Sequence, residues 1–126
     1  WIDMKNNFND LNWHDAELQS VHIDRSNAGE KDEIVIVVCW PDESRDEITF
    51  HNCYSFEAQM NFGIIALESI LSAEYTETSD KIDEIKRTWG RSGADFSNIG
   101  QYTIETNSTK SNLIICARNF SMKKLL

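Results

Sequence analysis

The residues best suited to chemistry are gathered in Trp13-His14-Asp15-Ala16-Glu17. On a strand, alternate residues share a face, so Trp13, Asp15 and Glu17 fall on one side and His14 and Ala16 on the other. Two carboxylates held side by side raise each other's proton affinity once burial is added, the arrangement that acid–base catalysis uses. With a histidine, they would hold a hard or borderline metal ion. On a regular strand, however, His14 points away from both acids. A protein metal site draws on roughly three or four converging ligands, and this face supplies only two, so neither a metal nor a cofactor is expected. The plainer reading of the segment is a strand edge, with solvated acids beside a packed Trp13. His51 and Cys53 also stand on one strand face, the pairing of a cysteine–histidine nucleophile. Phe50 and Tyr54 flank them, and the expectation is a packed thiol next to a hydrogen-bonded histidine. The glycines are scattered rather than gathered in a phosphate-binding loop, and no nucleophile elbow, CxxC or HExxH appears.

These side chains need elements to position them. The run Ile34-Val35-Ile36-Val37-Val38-Cys39-Trp40 is apolar throughout and rich in β-branched residues. It is too short for an ordinary helix, and a strand apolar on both faces is covered on both. It therefore reads as the central strand of a sheet. Trp13 to Arg25 reads as the first strand. Val21 and Ile23 there fall on the Asp15/Glu17 face, whereas Ala16 and Leu18 fall on the other. Either both faces are partly buried or a bulge near Gln19-Ser20 switches the phase. Ser26-Asn27-Ala28-Gly29 turns the chain, so strands one and two form a hairpin.

Pro41 to Ser44 makes the next turn, and Glu47 to Tyr54 a third strand. Phe56 to Phe62 is expected as a short helix between a Ser55 cap and Gly63. Ser69 to Thr76 reads as extended. Ser79 opens the clearest helix, with acids early, bases late, an Ile82/Ile85/Trp89 stripe and Gly90 at its end. Arg91 to Gly100 is a loop. Tyr102 to Thr106 and the apolar run Leu113 to Ala117 form a second hairpin about the Asn107 to Ser111 turn. Residues 1–10 read as a loose start tied down by Phe8 and Leu11, with Trp1-Ile2-Asp3 ahead of a native start at Met4. Lys123 to Leu126 reads as a frayed end. The sum is one α+β domain over residues 1–126: a mainly antiparallel sheet of about five or six strands with one or two short helices.

The chain has 126 residues, 40% apolar and 26% charged, enough to build a core and too apolar for disorder. Its net charge is −9, unevenly spread. Residues 1–80 carry 17 Asp/Glu against 4 Lys/Arg, whereas residues 81–126 carry 4 against 8. The acidic first part repels nucleic acid and membrane surfaces and attracts a basic partner; its other use is solubility. Cys39, Cys53 and Cys116 are an odd number at wide spacing in apolar stretches, read as reduced thiols of a cytoplasmic protein. No secretory h-region opens the chain, and no apolar run is long enough for a membrane helix.

The pattern W-x-D-x-E formed by Trp13, Asp15 and Glu17 resembles the immunity protein 50 family, proteins predicted to neutralise toxins of bacterial polymorphic toxin systems. Phe50-His51-Asn52-Cys53-Tyr54, followed by Met60-Asn61-Phe62-Gly63, is similar to small bacterial proteins of unassigned function. The family resemblance implies a mostly β fold, a cytoplasmic antitoxin role and no catalysis. On it, the chain is expected to be a toxin-neutralising immunity protein. Its partner would be a cognate toxin, a basic nuclease being the class its acidity suits, with no nucleic acid and no membrane involved. Trp13, Asp15 and Glu17 would then contact the toxin or fix the first strand. The alternatives are a small metal-binding or hydrolytic domain using Asp15 and Glu17, and an interaction domain that dimerises through an exposed sheet edge. If the run 34–40 is hidden on both faces, Val37→Asp prevents folding.

Overall fold

The structure is a computed structural model that describes residues 4–90 and 98–125. The elements are α1 (Met4–Asn9), β1 (Glu17–Asn27), β2 (Lys31–Cys39), β3 (Arg45–Gln59), β4 (Ile70–Thr76), α2 (Asp80–Trp89), β5 (Gly100–Thr106) and β6 (Asn112–Leu125). The six strands form one antiparallel sheet in the order β1-β2-β3-β6-β5-β4. The described residues are therefore mostly sheet, with two short helices. Trp1-Ile2-Asp3, most of the loop 91–100 and Leu126 lie outside the described residues. Among those described, no helix is long and apolar enough to cross a membrane.

The run 34–40 supplies β2, but β2 lies one place in from the edge, and β3 and β6 occupy the middle. Ile34, Ile36 and Val38 face the core, whereas Val35, Val37 and Cys39 are only half-buried on the other face. The reason is the position of α2. It covers the outer face only where Ile82 and Ile85, with Ile99, pack over Cys116 and Tyr54. The strand segment hidden on both faces is instead Ile115 to Ala117: Ile115 and Ala117, with Leu113 before them, enter the main core while Cys116 lies beneath α2.

Several boundaries differ from the sequence reading for physical reasons. Trp13 to Ala16 is a turn, with Asp15 at φ 67°, and β1 begins only at Glu17. Of the two alternatives open for the first strand, the bulge is the one present: it lies between Leu18 and Ser20 and sends both Leu18 and Val21 towards the core. The helix expected over 56–62 is absent, and β3 runs on to Gln59. Ser55 to Gln59 find partners in Cys116 to Asn112, and sheet pairing outweighs a segment too short to hold a helix alone. Asn52 at φ 54° and a bulge between Cys53 and Ser55 bend β3. The end does not fray: Lys124 pairs with Asp46 and Lys123 with Glu47 across β6 and β3, opposite charges facing each other. α2 forms as expected, with the Ser79 hydroxyl accepting from the Ile82 N–H at 3.1 Å; Trp89, assigned to its apolar stripe, is 58% exposed.

The sheet curves until its two outer strands meet at one end. Asp15 N–H donates to Ile70 C=O (2.9 Å), Ile70 N–H to Ala16 C=O (2.7 Å) and Leu18 N–H to Glu68 C=O (2.9 Å). Glu17 and Ser69 form the bridge between the strands. α1 lies against β4, where Asn9 Oδ1 accepts the Tyr75 N–H at 2.8 Å. The N-terminal stretch read as loose is thus a short helix whose Phe8 is fully buried. Phe8 lies 4.8 Å from Trp13, 5.0 Å from Tyr102 and 5.3 Å from Phe120, ring centre to ring centre.

Val37 faces Ser20 on one side and Glu47 on the other, on a half-exposed surface. A carboxylate there reaches water, so the charge test belongs at Ile36, which is fully buried. Ile36→Asp is expected to abolish cooperative unfolding. Val37→Asp is expected to fold with a loss of about 1–3 kcal/mol. Urea titration followed by tryptophan fluorescence reads both.

Candidate functional site

The three motif residues part company in the structure. Trp13 is buried: its indole N–H donates to the Phe8 carbonyl at 2.8 Å, and its ring packs edge-on against Trp40 at 5.0 Å. It fixes the start of the fold rather than offering a contact surface. Asp15 is exposed on the turn beside His14, whose Nε2 lies 3.7 Å away and whose Nδ1 lies 3.1 Å from the Leu71 carbonyl. Glu17 is half-buried at the bridge to Ser69. The acids therefore do not share a strand face with Trp13, because the chain is still turning at Asp15. Among the described residues, no group of three or more His, Cys, Asp or Glu could hold a metal ion. The backbone around Asp15 and Glu17 instead joins β1 to the segment that enters β4.

Among the described residues, that entering segment gathers most of the exposed large apolar side chains. Phe62, Ile64, Ile65, Leu67 and Leu71 are all exposed, Phe62 by 82%, Leu67 by 69% and Ile65 completely. Isolated exposed apolar residues are ordinary, whereas so many in one short stretch form an uncommon apolar patch. Asp15, Glu17 and Glu68 lie along its base, through the pairings of Asp15 with Ile70 and of Glu17 with Ser69. Glu105 is exposed on β5 opposite Ser72. The ridge is apolar, and its margin is predominantly acidic.

The ridge is held from beneath by the β5–β6 turn. The Ser108 hydroxyl donates to the Leu67 carbonyl (2.6 Å) and accepts the Ser69 N–H (3.0 Å), while the Asn107 N–H donates to the Ser69 carbonyl (2.7 Å). The Thr109 hydroxyl donates to Glu68 Oε1 at 2.6 Å. At the other end, Asn61 donates its backbone N–H to the Ser111 hydroxyl (3.0 Å) and its amide to the Thr109 carbonyl (2.8 Å). Thr106, Thr109 and Ser111 are buried and bonded to one another. A fully satisfied buried network fixes geometry, because any member left unpaired costs its desolvation. The ridge thus stands on a preset base.

The other reactive side chains are separated by the fold. Cys53 packs on the core side and donates weakly to the Phe50 carbonyl at 3.3 Å; burial pushes its thiol up to about 12. Cys116, beneath α2, is pushed up to about 11 by the same cause. His51 lies on the outer face, away from Cys53, with Nδ1 at 3.0 Å from Glu33 Oε2 and Nε2 at 2.7 Å from the Ser121 hydroxyl. The packed thiol and hydrogen-bonded histidine are as expected, but they face opposite ways and do not form a nucleophile pair. A groove of about 910 Å³, lined by Ile23, Ile34, Cys53, Phe56 and Trp89, opens beside the β1–β2 hairpin. At its rim, Arg25 is bonded to Asp32 at 2.8 Å. The Arg25 guanidinium and the Gly29 N–H hold that carboxyl below the usual carboxylate range.

Sequence reasoning missed the ridge because Ile64, Leu67 and Leu71 keep a helical spacing while Ile70, Ser72 and Glu74 alternate, so the stretch reads as an ambiguous element with a buried face. The conflict between the two periods after Gly63 was the signal available. The Glu33–His51–Ser121 chain joins residues far apart in sequence and carried no local signal at all. No protein-family model matches the chain, and no curated protein matches it significantly.

Removing the bracket is expected to loosen the ridge. Ser108→Ala should speed chymotrypsin cleavage at Phe62 and Leu67 and cost about 1–3 kcal/mol of stability. Limited proteolysis with mass mapping reads the first effect, and urea titration the second.

Proposed function

We propose that this chain is a toxin-neutralising immunity protein that acts by binding rather than by chemistry, its contact surface being the apolar ridge Phe62 to Leu71. The exposed ridge carries the reading. Five large apolar side chains without cover, set on a rigid hydrogen-bonded base, form a surface suited to contact. The family resemblance of Trp13, Asp15 and Glu17 supports the antitoxin role, and the net charge of −9 supports a basic partner. In this reading Phe62, Ile65 and Leu67 anchor in an apolar cleft of the toxin. Asp15, Glu17 and Glu68 meet lysines and arginines around it, as a basic nuclease would present them. Trp13 contributes indirectly, by holding the turn that carries Asp15. The encounter takes place in the cytoplasm.

A second reading is self-association through β1, the outer strand whose free edge runs on from Ser20 to Asn27. Bulges at Gln19 and between Asp24 and Asn27, together with the charges of Asp24 and Arg25, blunt that edge. A solution mass of 14.5 kDa rather than twice that value removes this reading.

The test uses the protein encoded by the neighbouring toxin-like reading frame. Co-expression of the wild-type chain is expected to restore growth of cells making that toxin. Ile65→Asp, at a fully exposed position, should leave the melting temperature unchanged and lower affinity by about 10²-fold or more, as loss of a central anchor does. The association rate should fall as salt rises. A gene with only metabolic neighbours, or full rescue by Ile65→Asp, contradicts the proposal.

A further inference from the structure

On the outer face of β2, β3 and β6, three side chains form a continuous hydrogen-bonded row. Glu33 Oε2 lies 3.0 Å from His51 Nδ1, and His51 Nε2 lies 2.7 Å from the Ser121 hydroxyl. One tautomer satisfies both contacts: Nδ1–H donates to the carboxylate, and Nε2 accepts the serine O–H. That is the order of acid, imidazole and hydroxyl found in serine hydrolases, where the nitrogen facing the serine is the one free to take its proton. The register of three neighbouring strands builds it. Glu33 comes one step before the Ile34–Phe50 pair, which brings it to His51, and Thr49 pairs with Ser121. Glu33 is largely buried, its side chain 16% exposed, and Lys31 Nζ at 3.9 Å keeps a positive charge beside it. His51 is 33% exposed and Ser121 is open to solvent, so a reagent reaches the hydroxyl while the acid stays in place.

We propose that Ser121, His51 and Glu33 form an acyl-transfer site that cleaves small activated esters, a function separate from partner binding. Ser121 Oγ attacks the ester carbonyl while its proton passes to His51 Nε2. The tetrahedral adduct collapses, the carbon–oxygen bond to the leaving group breaks, and the leaving oxygen takes the proton from His51. Water then attacks the acyl-serine, gives a proton to His51, and the acid departs as that proton returns to Ser121. Glu33 is a positioning residue: it fixes the imidazole tautomer and offsets the charge on the imidazolium. Lys123 lies two residues along the same face of β6, opposite Glu47. Val35 shares the outer face beside Thr49 and gives a short acyl chain an apolar floor. The open face suits acetyl-sized esters with good leaving groups rather than amides.

The experiment uses the full chain, p-nitrophenyl acetate and a fluorophosphonate probe. The wild type should hydrolyse the ester faster than Ser121→Ala by on the order of 10²-fold, the contribution of one positioned base. The probe should label Ser121 in the folded protein and not in the urea-unfolded chain. His51→Gln should match Ser121→Ala. Glu33→Gln should lower the rate while leaving Ser121 available to the probe, and should change the pH profile. Asp24 and His22 from β1, Lys31 and Glu33 from β2, Arg45 and Glu47 from β3 and Lys123 from β6 are the charged and titratable groups on the face that carries the imidazole. Equal rates for wild type and Ser121→Ala, or probe spread over lysines and tyrosines with none on Ser121, would overturn the proposal. Neither assay involves the toxin, so the outcome stands apart from the binding reading.

Discussion

The fold depends on filling the inside of a strongly curved sheet. A sheet bent until its outer strands touch leaves a concave face, and residues of every strand around it are apolar. Phe8 enters that space from the short helix α1, among Trp13, Phe50, Tyr102 and Phe120. Burying such a ring contributes about 1.5–3 kcal/mol from apolar area alone, and each favourable ring pair adds about 0.5–1.5 kcal/mol. α1 is too short to persist by its own hydrogen bonds, so its packing makes it a helix. The Trp13 indole N–H bonded to the Phe8 carbonyl ties the helix to the turn that follows. One contact thus joins the filling of the core to the direction in which the chain enters β1.

Closure of the sheet follows from that direction. With Trp13 fixed, Asp15 and Ala16 are aimed at Ile70, and the hydrogen bonds between them join the outer strands at one end. Joining them spares the sheet two open edges where they would be most exposed. It also sets the segment before β4 on the surface, where the hydroxyl cluster of the β5–β6 turn holds it. The apolar ridge therefore costs little to keep in one shape. Its rigidity comes from Ser108, Thr109 and Ser111, and its acidic margin from the same closure that brings Asp15 and Glu17 beside it. The polar row on the outer face has a different origin, since register alone aligns Glu33, His51 and Ser121 across three strands.

Much of the architecture was legible in the residues. The apolar run of β2, the turn at Ser26 to Gly29, the bulge near Gln19, the Ser79 cap and the tail hairpin all obey local rules, and all appear. What was not legible depends on partners remote in sequence. Phe56 to Phe62 carries a plausible cap at each end, yet β6 claims its first part as strand. Lys123 and Lys124 look like a frayed tail until Glu47 and Asp46 are placed opposite them. Residues 34–40 look hidden on both faces because their hydropathy cannot reveal that α2 covers β6 instead. The W-x-D-x-E motif reads as one strand face only if Asp15 is extended, and its left-handed backbone removes that condition. Of the candidate site, the acids were visible in the sequence; the ridge was not, because Ile64, Leu67 and Leu71 at helical spacing look like a face that packs inward.

Equilibrium unfolding of Phe8→Ala in urea measures what the buried ring of α1 is worth. If that ring holds the curved sheet closed, the variant should lose about 3–5 kcal/mol, as deletion of a fully buried phenylalanine does, with α1 no longer anchored. A loss below about 1 kcal/mol would mean that the sheet closes without the helix, and that Phe8 fills space the strands could have filled themselves.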